Sequence, residues 1–255
     1  MNDNHNVSVI ITCFNQGRFA ERAITSVVEQ SYPTNNMEIV IVDDGSTDDS
    51  VEQIKTCVDQ FKENIDIKLI AQDNRKTAGA RNTGIRNAKY DVFAFLDIDD
   101  LYLPDKIACS VEEMFRYRGV GLVYSDYIEV VHDKEGKIVN RKRAFKPPFN
   151  RVHLHANCIV STNSVFHREF FNRIGEFDES IKYAEDYDAY LRLAEVCMFR
   201  HIQEPLFIYN QHGANKMSEI DITDPNCPNR QVFLEEERKF KHRLFSKGQY
   251  FVSNS

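Results

Sequence analysis

The stretch VFAFLDIDDLYLP, residues 92–104, decides the predicted fold, because an apolar run ends abruptly in three carboxylates. The run that precedes Asp97 is typical of a strand buried on both faces of a parallel sheet. Asp97, Asp99 and Asp100 follow within four positions. Ligands bind outside the carboxyl ends of strands in an open parallel sheet, so these acids are predicted to lie at a ligand site.

The same alternation of strand and helix patterns fills the first hundred residues. Strands are predicted at 7–12, 38–43, 67–72 and 92–97. Apolar residues recur at helical spacing in the segments between them, at 18–30, 51–61 and 77–89. A strand followed by a helix, repeated in this way, favours an α/β fold with a mostly parallel sheet and helices on both faces.

The regular alternation of strand and helix patterns ends after Pro104. Helices are predicted at 104–118 and 185–196, strands at 121–131, 151–162 and 205–212, and a Lys/Arg-rich hairpin or loop at 132–150. The predicted strand at 151–162 places His153 and His155 on one face, and both are interpreted as structural. No linker rich in Gly or Ser interrupts the chain. We therefore expect segments 1–103 and 104–218 to share one core, followed by a tail at 219–255.

Composition excludes some classes of function. The chain has 255 residues and a net charge of −7, so binding of nucleic acid through a generally basic surface is not expected. Its six cysteines are scattered, which favours free thiols in a reducing compartment. The N-terminus lacks a signal-like pattern, and no apolar run approaches the roughly 20 residues of a membrane span. A cytoplasmic protein is predicted; peripheral attachment to a membrane and the oligomeric state are left open.

Polar and acidic groups follow three of the predicted strands. They lie at 12–15, 43–46 and 97–100, and parallel strands bring all three segments to one edge of the sheet. Each segment alone also fits a turn or a helix N-cap. Together, several carboxylates at one edge repel one another unless a cation, a proton or hydrogen-bond donors compensate. Oxygen ligands of this kind suit Mg²⁺ or Mn²⁺.

Eight segments in this order carry a resemblance to a known family. They are VSVIITCFN, SVVEQSYP, EIVIVDDGSTDDS, AGARNTGIRNA, FAFLDIDD, GEFDE, AEDYDAYLRL and YNQHGANKMS. Over roughly residues 7–218 the chain resembles family 2 glycosyltransferases of the GT-A fold. The resemblance implies a Rossmann-like, mostly parallel sheet with helices on both faces, plus a smaller mixed sheet on the acceptor side.

The resemblance also implies a reaction and a set of site residues. Such enzymes move a sugar from a nucleotide diphosphate donor, most often a UDP-sugar, to an acceptor hydroxyl with inversion. The residues that match donor-binding positions are Thr12, Phe14, Asn15, Asp44, Arg81 and Asp97. Asp99 and His212 match positions that bind Mn²⁺ or Mg²⁺, and Asp186 matches the catalytic base. The implied partners are a nucleotide-sugar and a glycan, lipid-linked or protein acceptor, with 1–103 as the donor half and 104–218 as the acceptor half.

Three of these residues have ordinary structural alternatives. Asp186 fits an acid that complements the dipole at a helix start, Arg81 a helix arginine paired with an acid, and His212 a satisfied polar histidine.

One departure from the family pattern bears on the donor site. Lys76 stands where the family usually has a glycine, which implies either a differently shaped loop or a lysine that meets phosphate.

Other classes of protein remain as alternatives. A receiver-type signalling domain has an Asp pair after a strand, but it is about half this length. A nucleotidyltransferase also uses an acidic metal site, and a non-catalytic protein that binds sugar nucleotides would share the donor pocket. A P-loop is excluded, since Ile85 and Arg86 follow Gly84 where Lys and Ser or Thr are required.

The predicted helix at 230–245 has two interpretations: its apolar face packs on the domain, or the helix lies on a membrane.

Overall fold

A computed structural model of the chain describes residues 5–212, together with Glu235 and Arg238, both of which are helical. Its strands are β1 (Val7–Cys13), β2 (Met37–Asp43), β3 (Asp66–Ala71), β4 (Val92–Asp97), β5 (Leu101–Tyr102), β6 (Val120–His132), β7 (Ile138–Ala144), β8 (Val165–His167) and β9 (Met198–Gln211). Its helices are α1 (Ala20–Val28), α2 (Ser50–Phe61), α3 (Lys76–Asn87), α4 (Lys106–Arg116), α5 (Arg151–Ala156), α6 (Arg168–Ile174) and α7 (Glu185–Leu193).

A single sheet joins the nine strands of the described residues in the order β3-β2-β1-β4-β8-β6-β9-β5, with β7 paired to β6. The strands β3, β2, β1 and β4 are mutually parallel, as the alternating pattern predicts. Strand β8 is antiparallel to both β4 and β6, so β6 runs in the same direction as β4. The mixed strands of the second half therefore extend the parallel sheet and do not form a separate layer.

Helices cover both faces of this sheet, and alternate residues of each strand point to opposite cores. Ile11 of β1 packs in the core that α1, α2 and α4 cover. Ile10, its neighbour, packs in the core beneath α3, α6 and α7. Both side chains are fully buried. Because β1 is covered on both faces, its sequence is mostly apolar and does not alternate with polar residues.

The strand ends converge as the sequence predicts. Thr12 is paired with Val42 of β2 on one side and with Asp97 of β4 on the other. The backbone N–H of Asp44 donates to the carbonyl of Cys13 at 2.8 Å, which joins the exits of β2 and β1. The three polar segments that follow β1, β2 and β4 therefore lie along one edge.

The strand predicted at 151–162 is wrong. Residues 151–156 form α5, whose first turn is capped by Asn150: its side-chain oxygen accepts from the backbone N–H of His153 at 3.0 Å. An Asn cap satisfies an amide that a strand would need to pair across the sheet, and this local bond favours the helix. His153 and His155 consequently do not share a strand face.

The late strand predicted at 205–212 begins earlier, at Met198. Its first half pairs with β6, but polar side chains hide it from a search for apolar runs. The helix predicted at 230–245 lies outside the described residues apart from Glu235 and Arg238. Among the helices of the described part, none combines the length and the apolar character needed to cross a bilayer.

A buried lysine begins α4. The side chain of Lys106 is fully buried, and its Nζ lies 6.0 Å from the ring centroid of Tyr102 and 5.5 Å from that of Phe207. Among the described residues this Nζ has no hydrogen-bond partner. Burial lowers the pKa of Lys106 from 10.5 to about 7. The folded chain thus holds a lysine that loses its proton far below the usual range.

We predict that Lys106→Met stabilises the protein at pH 7, by about 2–4 kcal/mol. Between pH 7 and 10.5 the unfolded chain keeps the lysine proton and the folded chain does not, so wild-type stability rises with pH through this window. The gain from Lys106→Met should shrink accordingly as the pH approaches 10.5. Urea unfolding at several pH values measures this, with exposed Lys62→Met as the control; an equal effect of the two variants at every pH would contradict the assignment.

Candidate functional site

Asp44 lies at the end of β2, where two donors from the β3–α3 loop hold its carboxylate. Gln72 Nε2 donates to its Oδ1 at 2.7 Å, and the backbone N–H of Arg75 donates to the same oxygen at 2.8 Å. The side chain of Asn74 donates to the backbone carbonyl of Asp44. Burial raises the pKa of Asp44, and the bonds from Arg75 and Gln72 oppose this rise. The carboxylate is thereby fixed in one orientation.

Asn15 joins the exits of β1 and β2. Its backbone N–H donates to Ser46 Oγ at 2.8 Å, and its side-chain oxygen accepts from the backbone N–H of Thr47 at 2.8 Å. Asn15 has a left-handed backbone with φ of 54°, which Asn tolerates better than most residues. Next to it, the Phe14 ring is 47% exposed at the rim of the sheet, and Thr12 is half-buried below it.

Lys76 keeps the backbone conformation of a glycine. Its φ is 65°, in the left-handed region that glycine enters without strain. The backbone N–H and the ammonium of Lys76 both act on Asp44, where they lower the pKa of the carboxyl against the effect of burial. The loop therefore retains a glycine-type turn while placing a positive charge near Asp44.

Arg81 of α3 occupies the interior between β4 and α7. Its Nη2 lies 3.4 Å from Asp97 Oδ1, and its Nη1 lies 3.3 Å from Glu185 Oε1. The guanidinium also packs near the rings of Phe95 and Phe177, at 5.3 and 5.8 Å from their centroids. One buried cation thus connects the end of β4 with the first turn of α7.

Electrostatics within this cluster are strongly coupled. Burial alone would lower the pKa of Arg81, but Asp97, Glu185 and Asp186 outweigh it and raise that pKa. Burial raises the pKa of Asp97, Arg81 lowers it, and the charge of Asp99 raises it again. The pKa of Asp97 is raised overall, and Arg81 is the neighbouring cation that opposes this rise.

The three acids after β4 have different surroundings. Asp99 Oδ2 lies 3.0 Å from His212 Nε2, and the backbone carbonyl of Asp99 accepts from Asn210 Nδ2 at 2.7 Å. Asp100 is fully buried and accepts from Asn163 Nδ2 at 2.6 Å and from the backbone N–H of Asn210 at 2.9 Å. Burial raises the pKa of Asp100 well above its usual value, and Asp99 and Asp97 add to this. Asp100 therefore anchors loops, whereas Asp99 lies beside a histidine.

Asp186 lies in the first turn of α7 and is half-buried. The backbone N–H of Tyr187 donates to its Oδ1 at 2.8 Å. The helix begins after Ala184, whose φ of 59° turns the chain sharply into the first turn. Because Glu185 binds Arg81 in this same turn, the position of Asp186 is tied to the end of β4.

Sequence reasoning missed the residues that hold these acids in place. Gln72 orients Asp44, while Asn163 and Asn210 fix the backbone and side chains after β4. Glu185 is the second partner of Arg81. Only Asn210 carried a signal, since it lies in the YNQH segment beside His212. Amide side chains elsewhere have no spacing that marks them.

Asp99 and His212 fit a divalent cation whose remaining coordination positions are filled by a bound phosphate and water. No group of three or more His, Cys, Asp or Glu in the described part of the chain is arranged to hold a metal ion. Asp99 and His212 together offer one carboxylate and one imidazole. Mg²⁺ in proteins is commonly bound by one or two carboxylates plus substrate phosphates and water, so two protein ligands are compatible with such a site.

Comparison with known families identifies the class of protein. Residues 8–175 match the family described as Glycosyl transferase family 2. The chain therefore belongs to glycosyltransferase family 2. The resemblance carried by the eight sequence segments is confirmed.

Curated relatives are similar over most of the chain. An uncharacterized glycosyltransferase of Nostoc sp. is 31% identical over 245 residues, which are 92% of this chain and 74% of that protein. Chondroitin synthase of Escherichia coli is 28% identical over 221 residues, which are 86% of this chain and 31% of that protein. The chain thus spans about a third of the length of this synthase.

Solved structures confirm the fold. S. aureus TarS 1-349 in complex with UDP-GlcNAc has a TM-score of 0.69 at 17% identity, covering 94% of this chain and 73% of that one. The mannosyltransferase PcManGT from Pyrobaculum calidifontis, in complex with GDP-Man and Mn²⁺, has a TM-score of 0.63 at 20% identity, covering 96% and 72%. The chain has the GT-A architecture that the sequence predicts.

We predict that Arg81→Met destabilises the protein by about 3 kcal/mol or more, because it leaves Asp97 and Glu185 buried without their cation. Arg86→Met is the matched control, since Arg86 lies in the same helix but pairs with Glu176 at the surface. Urea unfolding at pH 7 gives both free energies. Equal losses for the two variants would show that the buried cluster is not a central element of the fold.

Proposed function

We propose that the protein transfers a sugar from a nucleotide diphosphate donor, a UDP-sugar, to an acceptor hydroxyl with inversion at the anomeric carbon. The observation that carries the proposal is the contact of Arg81 with both Asp97 and Glu185. This contact joins the end of β4, where a donor would bind, to the helix start that carries Asp186. The donor and the general base Asp186 would therefore lie at the same edge of the sheet.

The donor would lie across the exits of β1, β2 and β4. Asp44 is proposed to accept a hydrogen bond from the nucleobase of the donor, with Thr12, Phe14 and Asn15 around that nucleobase. Its fixed carboxylate and the exposed ring of Phe14 support this role, since an aromatic face and an oriented acceptor suit a nucleobase. The structural relatives are described with UDP-GlcNAc and with GDP-Man, and uracil is proposed here because it is the usual base in the family that the sequence segments resemble. Asp97 would lie near the ribose and Arg81 behind it.

A divalent cation, Mn²⁺ or Mg²⁺, is proposed at Asp99 and His212. When bound there it would stabilise the negative charge that grows on the β-phosphate of the leaving nucleotide. The 3.0 Å separation of Asp99 Oδ2 and His212 Nε2 supports the pairing of these two ligands. The relative PcManGT is described with Mn²⁺.

Asp186 is proposed as the general base of a single displacement. The acceptor oxygen attacks the anomeric carbon, the bond from that carbon to the β-phosphate oxygen breaks, and the acceptor proton passes to Asp186. Two features support an ionised carboxylate at this position: the start of α7 and the nearby charge of Arg81. A single base suffices, because no covalent sugar intermediate forms.

The acceptor is proposed to be a glycan, a lipid-linked sugar or a protein, in polysaccharide biosynthesis. Relatives described as chondroitin synthase and hyaluronan synthase favour a growing glycan. The divisions at 1–103, 104–218 and 219–255 and a cytoplasmic location stay predictions. In this scheme the second half of the chain supplies both the acceptor surface and the base.

We predict that a panel of nucleotide sugars with Mn²⁺ raises the melting temperature of the protein most for UDP-sugars, and that Asp99→Ala removes the metal-dependent part of UDP binding. Titration calorimetry with UDP, with and without Mn²⁺, measures the second effect. Asp105→Ala, an exposed acid close by, is the matched control and should bind as the wild type does. Unchanged Mn²⁺-dependent affinity in Asp99→Ala would refute the ligand role of this residue.

We predict that Asp186→Asn binds UDP and Mn²⁺ normally but transfers sugar about 10²- to 10⁴-fold more slowly, since only the proton acceptor is lost. Release of nucleoside diphosphate in the presence of acceptor measures turnover. Asp188→Asn is the comparison: Asp188 pairs with Arg192 and should affect stability more than transfer. Full turnover in Asp186→Asn would mean that another group is the base. Release of pyrophosphate from a nucleoside triphosphate supplied with a sugar phosphate would mean nucleotidyl transfer.

A further inference from the structure

Strands β6 and β7 form a hairpin that flanks the edge where β4 ends. The register aligns Leu122 of β6 with Phe93 of β4, because both are paired with Phe166 of β8. From there β6 runs past the level of Asp97 to His132, and β7 returns from Ile138. His132 Nε2 lies 3.1 Å from Asn210 Oδ1, and Asn210 binds the backbone carbonyl of Asp99. Residues 127–146, here called the basic hairpin, therefore border the candidate active site.

The charge of the basic hairpin is opposite to that of the whole chain. Its basic residues are Lys134, Lys137, Arg141, Lys142, Arg143 and Lys146, and its acidic residues are Glu129, Asp133 and Glu135. Lys142 is paired with Glu129 at 2.7 Å, and Arg143 with Asp126 at 2.9 Å. Within residues 5–212, no ion pair engages the side chains of Lys134, Lys137 and Arg141. A local positive surface thus stands on a protein of net charge −7.

The basic hairpin also exposes large apolar side chains. Ile138 is 55% exposed, Val139 60% and Phe145 72%. These values contrast with the two sheet cores, where apolar side chains are buried. The surface thus combines cationic groups with exposed apolar groups in the same short segment.

The base of the basic hairpin is firmly attached to the sheet. Asp126, which is buried, accepts from Arg143 Nη2 and from the backbone N–H of Lys146, both at 2.9 Å. His201 Nε2 of β9 lies 2.9 Å from the same carboxylate. These bonds fix the C-terminal end of β7 relative to β6 and β9. The exposed side chains are consequently presented by an ordered strand pair.

Protection of a sheet edge explains only part of this surface. In the described structure β7 pairs with β6 alone, and charged residues on an edge strand prevent pairing with other chains. Arg141 and Lys142 serve that purpose. Exposed Ile138, Val139 and Phe145 work against it, because apolar edge strands promote association.

We infer that the basic hairpin is a docking surface for an anionic lipid bilayer. Lys and Arg side chains are attracted to anionic headgroups, and apolar side chains gain free energy at the boundary of the hydrocarbon region. A hydrated soluble polyanion would use the charges of Lys137 and Arg141 but gain little from Ile138 and Val139. The docked hairpin would hold the edge that carries Asp99 beside the headgroups, which suits an acceptor anchored in the membrane.

The test is flotation of the intact chain with vesicles of phosphatidylcholine alone or with 30% phosphatidylglycerol. Binding is expected only to the anionic vesicles. The double variant Lys137→Glu/Arg141→Glu should bind at least about 25-fold more weakly, since each basic residue near an anionic surface contributes about fivefold and each new carboxylate is repelled. The double variant Ile138→Ser/Val139→Ser should also bind more weakly. All four residues are exposed, and circular dichroism checks that the variants fold.

Matched controls come from surfaces remote from the basic hairpin. Lys55→Glu/Lys62→Glu reverses two exposed charges, one on α2 and one at its C-cap. Met198→Ser removes an exposed apolar side chain at the start of β9. Both should bind as the wild type does. Absence of binding to anionic vesicles, or equal losses in hairpin and control variants, would overturn the inference. If only Lys137→Glu/Arg141→Glu bound the vesicles more weakly, and its binding to heparin weakened to the same degree, the surface would instead be assigned to a soluble polyanion.

Discussion

The contact of Arg81 with Asp97 and Glu185 is the interaction on which the site depends. It is the place where a helix of the first half, a strand end and a helix of the second half meet through one buried cation. Removing one partner from a buried ion pair is strongly destabilising, since the remaining charges have left water and have no compensation. This constraint fixes the distance between the strand end and the turn that carries Asp186. In the proposed function, that distance sets the geometry of transfer.

The three acids after β4 show how a chain places like charges at the end of its own core. Asp97 is balanced by Arg81, Asp99 lies beside His212, and Asp100 is buried among amide donors with a strongly raised pKa. Each acid is therefore stabilised in a different way, and Asp99 is the one whose surroundings suit a cation that arrives with a diphosphate. Their separate environments explain why three carboxylates in four positions are compatible with a stable sheet.

Much of the fold was predictable because its signals are local. The buried runs of β1, β2 and β4 and the helical spacing of α1 and α2 follow from periodicity, and the convergence of strand ends follows from parallel pairing. The helix α5 was missed because a single cap at Asn150 decides between helix and strand. The site was predictable only as far as family positions reach. Gln72, Asn163 and Glu185 act through contacts between residues distant in sequence, which no spacing records.

A crystal structure of the chain with UDP and Mn²⁺ would show directly whether the strand exits bind the donor. Uracil is expected within hydrogen-bond distance of Asp44, Mn²⁺ bound by Asp99 and His212 together with the diphosphate, and Asp186 facing the position of the anomeric carbon. Arg81 should keep its contacts with Asp97 and Glu185 in that complex. A nucleotide bound away from the exits of β1, β2 and β4, or a metal ion held without Asp99, would contradict the proposed function.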